Sequence, residues 1–124
     1  MLLDEIGAYL QAQGVGTAGT DLFLSGLPDA PDTALAILET GGFEPDLAAP
    51  MDNPTFQIMS RAGDYFVART RAKAAYDALH GLAETVLSGR RYLLIRAMQS
   101  PTYIGVDQNG RHLIATNYAA IVSR

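Results

Sequence analysis

RYLLIRAMQSPTYIGVDQNGRHLIATNYAAIV (residues 91–122) decides the fold. Its first nine residues, 91–99, are rich in Leu, Ile and Tyr and read as a strand. Ser100-Pro101 interrupts that run, as proline does at a sheet edge or bulge. Extended chain resumes at 103–107, turns at Asn109-Gly110 and returns through 111–122. Asn-Gly between two β-like runs is the strongest short hairpin signal, because both central residues of a type I′ turn need positive φ. A chain that closes on such a hairpin commits its C-terminal third to antiparallel sheet.

Working outward, residues 55–62 (TFQIMSRA) alternate well enough for another strand, with Phe56 and Ile58 on one face and Gln57, Met59 and Arg61 on the other. Asp64 is placed to cap a helix over 65–83. One stripe of that helix is apolar (Tyr65, Ala68, Ala72, Ala75/Tyr76, Leu79, Leu82/Ala83), and the opposite stripe is polar (Arg69, Lys73, Asp77, His80, Glu84). Upstream, ALAILE (34–39) is apolar enough for a strand buried on both faces, and TDLFLSG (20–26) reads as a shorter one before the turn-rich LPDAPD (27–32). Residues 2–13 form a first helix, with Leu3, Ile6 and Leu10 at helical spacing and Gly14 as its stop.

The predicted order is α-β-β-β-α-β-β. It describes an α+β fold with a mostly antiparallel sheet and two helices packed on one face. The length, 124 residues, suits a single domain spanning 1–124. Between the second and third strands, TGGFEPDLAAPMDNP (40–54) reads as a long loop. Loops of fifteen residues are uncommon in so small a domain and are often functional. This one carries Phe43, Leu47 and Met51, apolar side chains that either pin it to its own domain or dock on a neighbouring subunit.

Composition narrows the function classes. Nearly half the residues, 48%, are hydrophobic, which argues against global disorder, and no apolar run reaches the ~20 residues of a membrane span. Met1-Leu2-Leu3-Asp4-Glu5 puts acid where an export signal carries base. With no cysteine there is no disulfide framework, thiolate zinc site or cysteine nucleophile. The net charge of −4 is unevenly spread. Residues 1–60 hold nine acids and no Lys or Arg (−9), and residues 61–124 hold nine bases against four acids (+5). Either the halves interleave and neutralise each other within one fold, or the acidic surface of one copy meets the basic surface of the next, a head-to-tail contact that closes into rings.

No constellation points to catalysis or a cofactor. Gly14-Val15-Gly16-Thr17-Ala18-Gly19 matches the dinucleotide-binding glycine pattern letter for letter, but it follows a helix and precedes a strand, the reverse of what phosphate binding at a helix N-terminus needs. His80 and His112 have no hydrolase-type partners, and their nearest carboxylates, Asp77 and Glu84, read as helix-surface pairs. Glu44, Asp46 and Asp52 lack the ligand spacing of a calcium loop. Seven of the nine bases fall between Arg61 and Arg96, which keeps a second function class open: a small cytoplasmic nucleic-acid-binding module working through the basic second half.

Several runs resemble one family. Gly19-Thr20-Asp21-Leu22-Phe23-Leu24, a Pro-Asp turn and Leu38-Glu39-Thr40-Gly41-Gly42 are similar to the opening of tail-terminator or minor capsid proteins of long-tailed bacteriophages and prophages. Pro54-Thr55-Phe56-Gln57-Ile58, the Arg/Ala-rich helix ending Ala78-Leu79-His80-Gly81-Leu82, and the close from Leu94 through Ser100-Pro101 and Asp107-Gln108-Asn109-Gly110-Arg111 to Asn117-Tyr118 continue the layout. The resemblance implies a structural virion protein without enzyme chemistry or cofactor. It would form a ring with copies of itself, usually a hexamer, capping the tail tube at the tail–head junction after assembly in the host cytoplasm. Its other expected partners are the tail-tube protein, a head-completion (neck) protein, and genomic DNA passing through the lumen without sequence-specific contact; no membrane is involved. The surfaces expected to serve subunit or neck contacts are Phe43, Leu47 and Met51 in the loop, the bases Arg61, Arg90, Arg91 and Arg96, and Tyr103 and Arg111 on the hairpin.

Overall fold

A computed structural model describes residues 1–124. The chain runs α1 (Leu2–Ala12), β1 (Leu22–Leu24), β2 (Ala34–Phe43), β3 (Met51–Ala62), α2 (Tyr65–Leu79), β4 (Leu82–Leu87), β5 (Arg90–Ala97), β6 (Thr102–Val106) and β7 (His112–Ser123). The strands form one sheet in the order β1-β2-β3-β7-β5-β4, with β6 beside the first half of β7. Every pairing is antiparallel except β1 with β2. The α+β class and the antiparallel sheet are as the sequence predicts.

Both helices lie on one face of that sheet. α1 brings Leu3, Ile6 and Leu10 into the same apolar cluster that receives Ala75 and Leu79 of α2, and the strands supply Leu35, Ile37, Phe56, Ile58, Tyr92, Ile95, Tyr118 and Val122. Each Leu or Ile fully withdrawn from water contributes roughly 1.5–3 kcal/mol. The alanine stripe of α2, Ala68, Ala72 and Ala75, is buried and lets the helix sit close on the strands. Ser60 Oγ donates to the Ala68 carbonyl at 2.8 Å across that approach. Asp64 caps α2 as expected, accepting from the Phe66 N–H at 2.8 Å.

Four expectations need correction. The element order is α-β-β-β-α-β-β-β-β, because the run after Ser100-Pro101 forms a strand of its own, β6, and α2 does not reach residue 83. It ends at Leu79, His80 turns extended, and Gly81 adopts φ +83, a left-handed value that breaks the helix cheaply only at glycine. Leu82 and Ala83 therefore open a strand the sequence reading missed, β4. It returns into β5 through Ser88-Gly89, both at positive φ, the two-residue type I′ turn. The Asn109-Gly110 hairpin exists but is wider than predicted: only Gly110 has positive φ, and Asp107 and Arg111 close the turn, the Asp107 N–H donating to the Arg111 carbonyl at 2.9 Å.

The fourth correction concerns 40–54. Most of that span is a β arm, with β2 running out to Phe43 and β3 starting back at Met51, so the true loop is residues 44–50. Its two glycines build a bulge. The pairing register shifts between Glu39 and Gly42, Gly41 sits at φ +94, and a Cβ on Gly42 would meet the Asn53 carbonyl oxygen at 2.6 Å.

Candidate functional site

The arm ends in a braced loop. Asp46 Oδ1 accepts from the N–H groups of Ala48 (2.8 Å) and Ala49 (3.3 Å), and the Asp46 N–H donates to the Met51 carbonyl at 3.0 Å. Arg124 clamps the outside, its Nη2 donating to the carbonyls of Asp46 (2.9 Å) and Ala49 (3.0 Å) and its backbone N–H to that of Pro50 (2.7 Å). This framework holds Leu47 entirely in solvent, with Phe43 more than half exposed beside it and Met51 partly covered.

The sheet face away from the helices carries no helix, and the 25–33 connector, held by Arg61, covers one end of it. Ala36, Leu38, Gln57, Met59, Ala115, Asn117 and Ala119 lie on it, and the Gln57 and Asn117 amides bond each other at 3.1 Å. Near the base of the arm this face dips into a trough of ≈ 370 Å³. Thr55 and Asn117 floor it, Thr40, Gly42 and Phe43 wall one side, and Met98 and Gln99 wall the other. Arg96, two residues before Met98, is exposed on the same face opposite Ala119.

A third surface gathers at the N-terminal end of α2. Tyr65 packs edge-on against Phe66 (5.3 Å between ring centroids), Tyr103 (5.4 Å) and His112 (6.0 Å). The Tyr103 hydroxyl and His112 Nδ1 are 3.0 Å apart, and Arg69 fixes the neighbourhood by donating to the Pro101 carbonyl at 2.6 Å. Phe66 and Val67 on the helix and Tyr103, Ile104 and Val106 on β6 all stand exposed there.

The expected basic positions are not one patch. Arg61 pairs in register with Leu113 at the start of β7, and Arg90 and Arg91 lie by its far end. Arg61 is 3% exposed and donates to the carbonyls of Pro28 (2.6 Å), Pro31 (2.7 Å) and Asp32 (3.2 Å). Burial, then the neighbouring Arg111 charge, lowers its pKa. Arg111, 7% exposed, reaches Asp107 (2.7 Å), Asp29 (3.2 Å) and Asp32 (3.3 Å), and also bonds the Asp29 carbonyl. Together they strap the 25–33 connector to the hairpin turn. Both were expected on an interface; their guanidinium groups are consumed inside the subunit because the connector's carbonyls and carboxylates need donors.

The charge split is likewise largely resolved within one chain. Glu5 meets Arg90 (3.4 Å), Asp21 meets Arg71 (3.3 Å), Asp29 and Asp32 meet Arg111, and Asp52 meets Arg124 (3.4 Å). Each pair joins an acid of the first half to a base of the second. Arg91 turns to Glu84 (3.0 Å) and Lys73 to Asp77 (2.6 Å). What is left over is specific: Arg96 is the one basic side chain, and Glu39 and Glu44 the two acidic side chains, with no hydrogen-bond or ion-pair partner. Sequence reasoning missed the wall residue Met98, the exposed Phe66, Ile104 and Val106, and the Arg124 clamp. Only the Gly41-Gly42 pair hinted at the bulged arm.

His80 and His112 are engaged separately, His80 Nδ1 accepting from the Ala97 N–H at 2.9 Å. The donors of the glycine-rich connector are spent within the chain, Thr17 N–H on the Asp21 side chain (2.7 Å), Ala18 N–H on that of Gln11 (2.7 Å), and the N–H groups of Gly14, Val15 and Gly19 on backbone carbonyls. No three His, Asp or Glu side chains gather as a metal site would require. No helix is long and apolar enough to cross a membrane.

Comparison with known proteins places these surfaces in context. No curated protein sequence matches the chain. Among solved structures, a chain from the virion of a native gene transfer agent (GTA) particle shares the fold, with a TM-score of 0.70 and 22% identity over 95% of this chain and 94% of that one. The family described as bacteriophage tail terminator protein matches residues 9–124. An α+β domain whose exposed features are an apolar-tipped arm, a helix-free sheet face and an aromatic end thus belongs to the bacteriophage tail terminator family, a family of structural virion proteins.

Proposed function

We propose that the protein caps the finished tail tube as a ring of identical copies, six in the expected assembly, and offers the ring's other side to a head-completion protein. The observation that carries this reading is the braced arm. A loop held by Asp46 and Arg124 presents Leu47 wholly to water, so that side chain adds nothing to the core of its own subunit. Such pre-ordering lowers the entropy lost on association. Arm and body are different surfaces, so a contact between them is head-to-tail and closes into a ring when the rotation allows.

In this reading Phe43, Leu47 and Met51 belong to the subunit contact, with Arg96 on the receiving side and Arg90 and Arg91 towards its edge. Tyr103, with Phe66, Ile104 and Val106, faces the tube or the neck protein. Arg61 and Arg111 act indirectly, by holding the connector and hairpin turn that frame that end. The role is structural, without catalysis or cofactor, and DNA crosses the lumen with no sequence readout. The site is the virion's tail–head junction, reached after assembly in the host cytoplasm. The nucleic-acid module loses its main support, since eight of the nine basic side chains are already engaged within the subunit.

Mass photometry of micromolar protein with tail-tube ends tests the proposal. Ring-sized particles, or tubes capped by a multiple of subunits, are expected. A strictly monomeric protein that leaves tube ends bare rejects it.

A further inference from the structure

Resting on the ring reading above, we propose that the arm tip of each copy docks in the trough on the helix-free sheet face of the next copy, with Leu47 as the knob and Met98 and Phe43 as walls of the hole. Three independent features of one subunit converge on this pairing. The first is apolar: Leu47 is fully exposed at the tip, and the trough exposes Met98 and Phe43 over a floor of Thr55 and Asn117. At ≈ 370 Å³ the trough holds a leucine side chain together with part of its flanking loop.

The second is charge. Arg96, the lone uncompensated cation, lies beside the trough, and of the uncompensated anions Glu44 lies on the arm and Glu39 at its base. Nearly every other charge has found a partner within its own chain, so this residue of unmatched charge marks where an outside partner of opposite sign is needed. Such complementarity fixes register and orientation more than raw affinity. The third is rigidity. The loop's own hydrogen bonds and the Arg124 clamp hold the knob in place before docking, and the Gly41-Gly42 bulge sets the direction in which the arm leaves the sheet.

The occupant is thus a second copy of this chain, and the contact is heterologous, with tip and trough on different parts of each subunit. Since the chain has no cysteine, the test can be chemical. In the Leu47→Cys/Met98→Cys double variant, assembled with tube ends and treated with a short bis-maleimide, the expected product is a ladder of covalent multimers up to ring size. Each single variant should give none. A dimer from Leu47→Cys alone would show tips meeting tips and overturn the pairing.

Two exposed charge reversals give a second readout that does not depend on cross-linking geometry. Glu44→Arg and Arg96→Glu should each weaken self-association about tenfold, and the double variant should restore it. Rings that form normally yet neither cross-link nor respond to the reversals overturn the docking and leave the ring intact. Absence of any multimer, with or without tube ends, overturns both.

Discussion

Phe56 and Tyr118 lie face to face on paired positions of β3 and β7, their ring centroids 5.0 Å apart and their planes within 9°. The pair sits at the centre of the sheet, where both helices converge, and both rings are fully buried. Phe56→Ala should therefore lower unfolding free energy by about 3–5 kcal/mol. Tyr118 offers the sharper contrast. Its hydroxyl is buried with no well-formed hydrogen bond; burial pushes the phenol's pKa up, and the nearby Thr116 hydroxyl offsets only part of that rise. Removing an unsatisfied buried hydroxyl while keeping the ring should leave stability unchanged or raise it by up to ~1 kcal/mol. Urea denaturation of Phe56→Ala and Tyr118→Phe measures both, and a Tyr118→Phe loss above about 1 kcal/mol would contradict the geometry.

Tyr92 gives the alkaline limit of stability. Its hydroxyl donates to Glu5 Oε1 at 2.7 Å inside the core, and burial first, then that bond, raise its pKa. A group raised in the folded state contributes its full stabilisation below its unfolded pKa of about 10, and loses it as pH climbs above that value. Unfolding free energy should slip slightly above about pH 8, as the N-terminal ammonium held up by Glu5 is lost, and fall more steeply above about pH 10. Tyr92→Phe should lose about 1.5–3 kcal/mol at neutral pH, the worth of a bond to a charged acceptor, and should flatten part of the alkaline decline. Adding Tyr118→Phe should remove most of the rest.

Much of this architecture is legible in the residue order, for identifiable reasons. The periodicity of Leu3, Ile6 and Leu10, and of Ala68, Ala72, Ala75 and Leu79, places the helices because apolar spacing is a local property. Ser100-Pro101 divides β5 from β6, which follow one another along the same edge of β7, as the proline suggests. β4 escaped because Leu82 and Ala83 also continue the apolar stripe of α2, and only the positive φ of Gly81 separates the two readings. Its signal was the Ser88-Gly89 dipeptide. The arm escaped because Gly41-Gly42 reads as loop chemistry when it serves a bulge. Charge was the least legible property: nine acids before residue 61 and nine bases from it onward look like two surfaces, yet Asp29 and Arg111, 82 residues apart in sequence, are neighbours in the fold. Arg96, Glu39 and Glu44 stand apart only once every other pairing is known.

The hairpin turn predicts acid behaviour. The Arg111 backbone N–H, outweighing the opposing effect of burial and helped by the Arg111 guanidinium and the Asn109 N–H, holds the Asp107 carboxyl below the usual carboxylate range. A depressed carboxylate contributes stability that is present above its unfolded pKa of about 4 and lost as pH falls through the lower folded value. The turn and the strapped 25–33 connector should loosen together below about pH 4. Hydrogen exchange across pH 6 to 3 should show the amides of Asn109 and Arg111 opening in step with that of Ser25, which donates to the Ile37 carbonyl at the start of the connector. Asp107→Asn should weaken that protection already at neutral pH and remove its pH dependence; independent opening of the two segments would refute the coupling through Arg111.

Two glycines separate the arm's geometry from the stability of the body. At Gly42 a Cβ would lie 2.6 Å from the Asn53 carbonyl oxygen and 2.9 Å from Pro54 Cα, both backbone atoms that cannot turn aside. Gly42→Ala must therefore push β2 and β3 apart at the bulge, with the ~1–3 kcal/mol penalty of overpacking, and so re-aim Phe43 and Leu47. At Gly26 the same methyl meets nothing within 4 Å and the backbone is not in the left-handed region. Gly26→Ala should leave unfolding free energy within about 0.5 kcal/mol, or raise it through the reduced entropy of the unfolded chain. If the arm joins subunits, Gly42→Ala should fail to assemble on tube ends under conditions where its core, followed by far-UV circular dichroism and urea titration, stays folded. Gly26→Ala should assemble as the parent does. Normal assembly by Gly42→Ala would mean that the direction of the arm is immaterial to the contact, since one methyl group at that bulge cannot be accommodated without changing it.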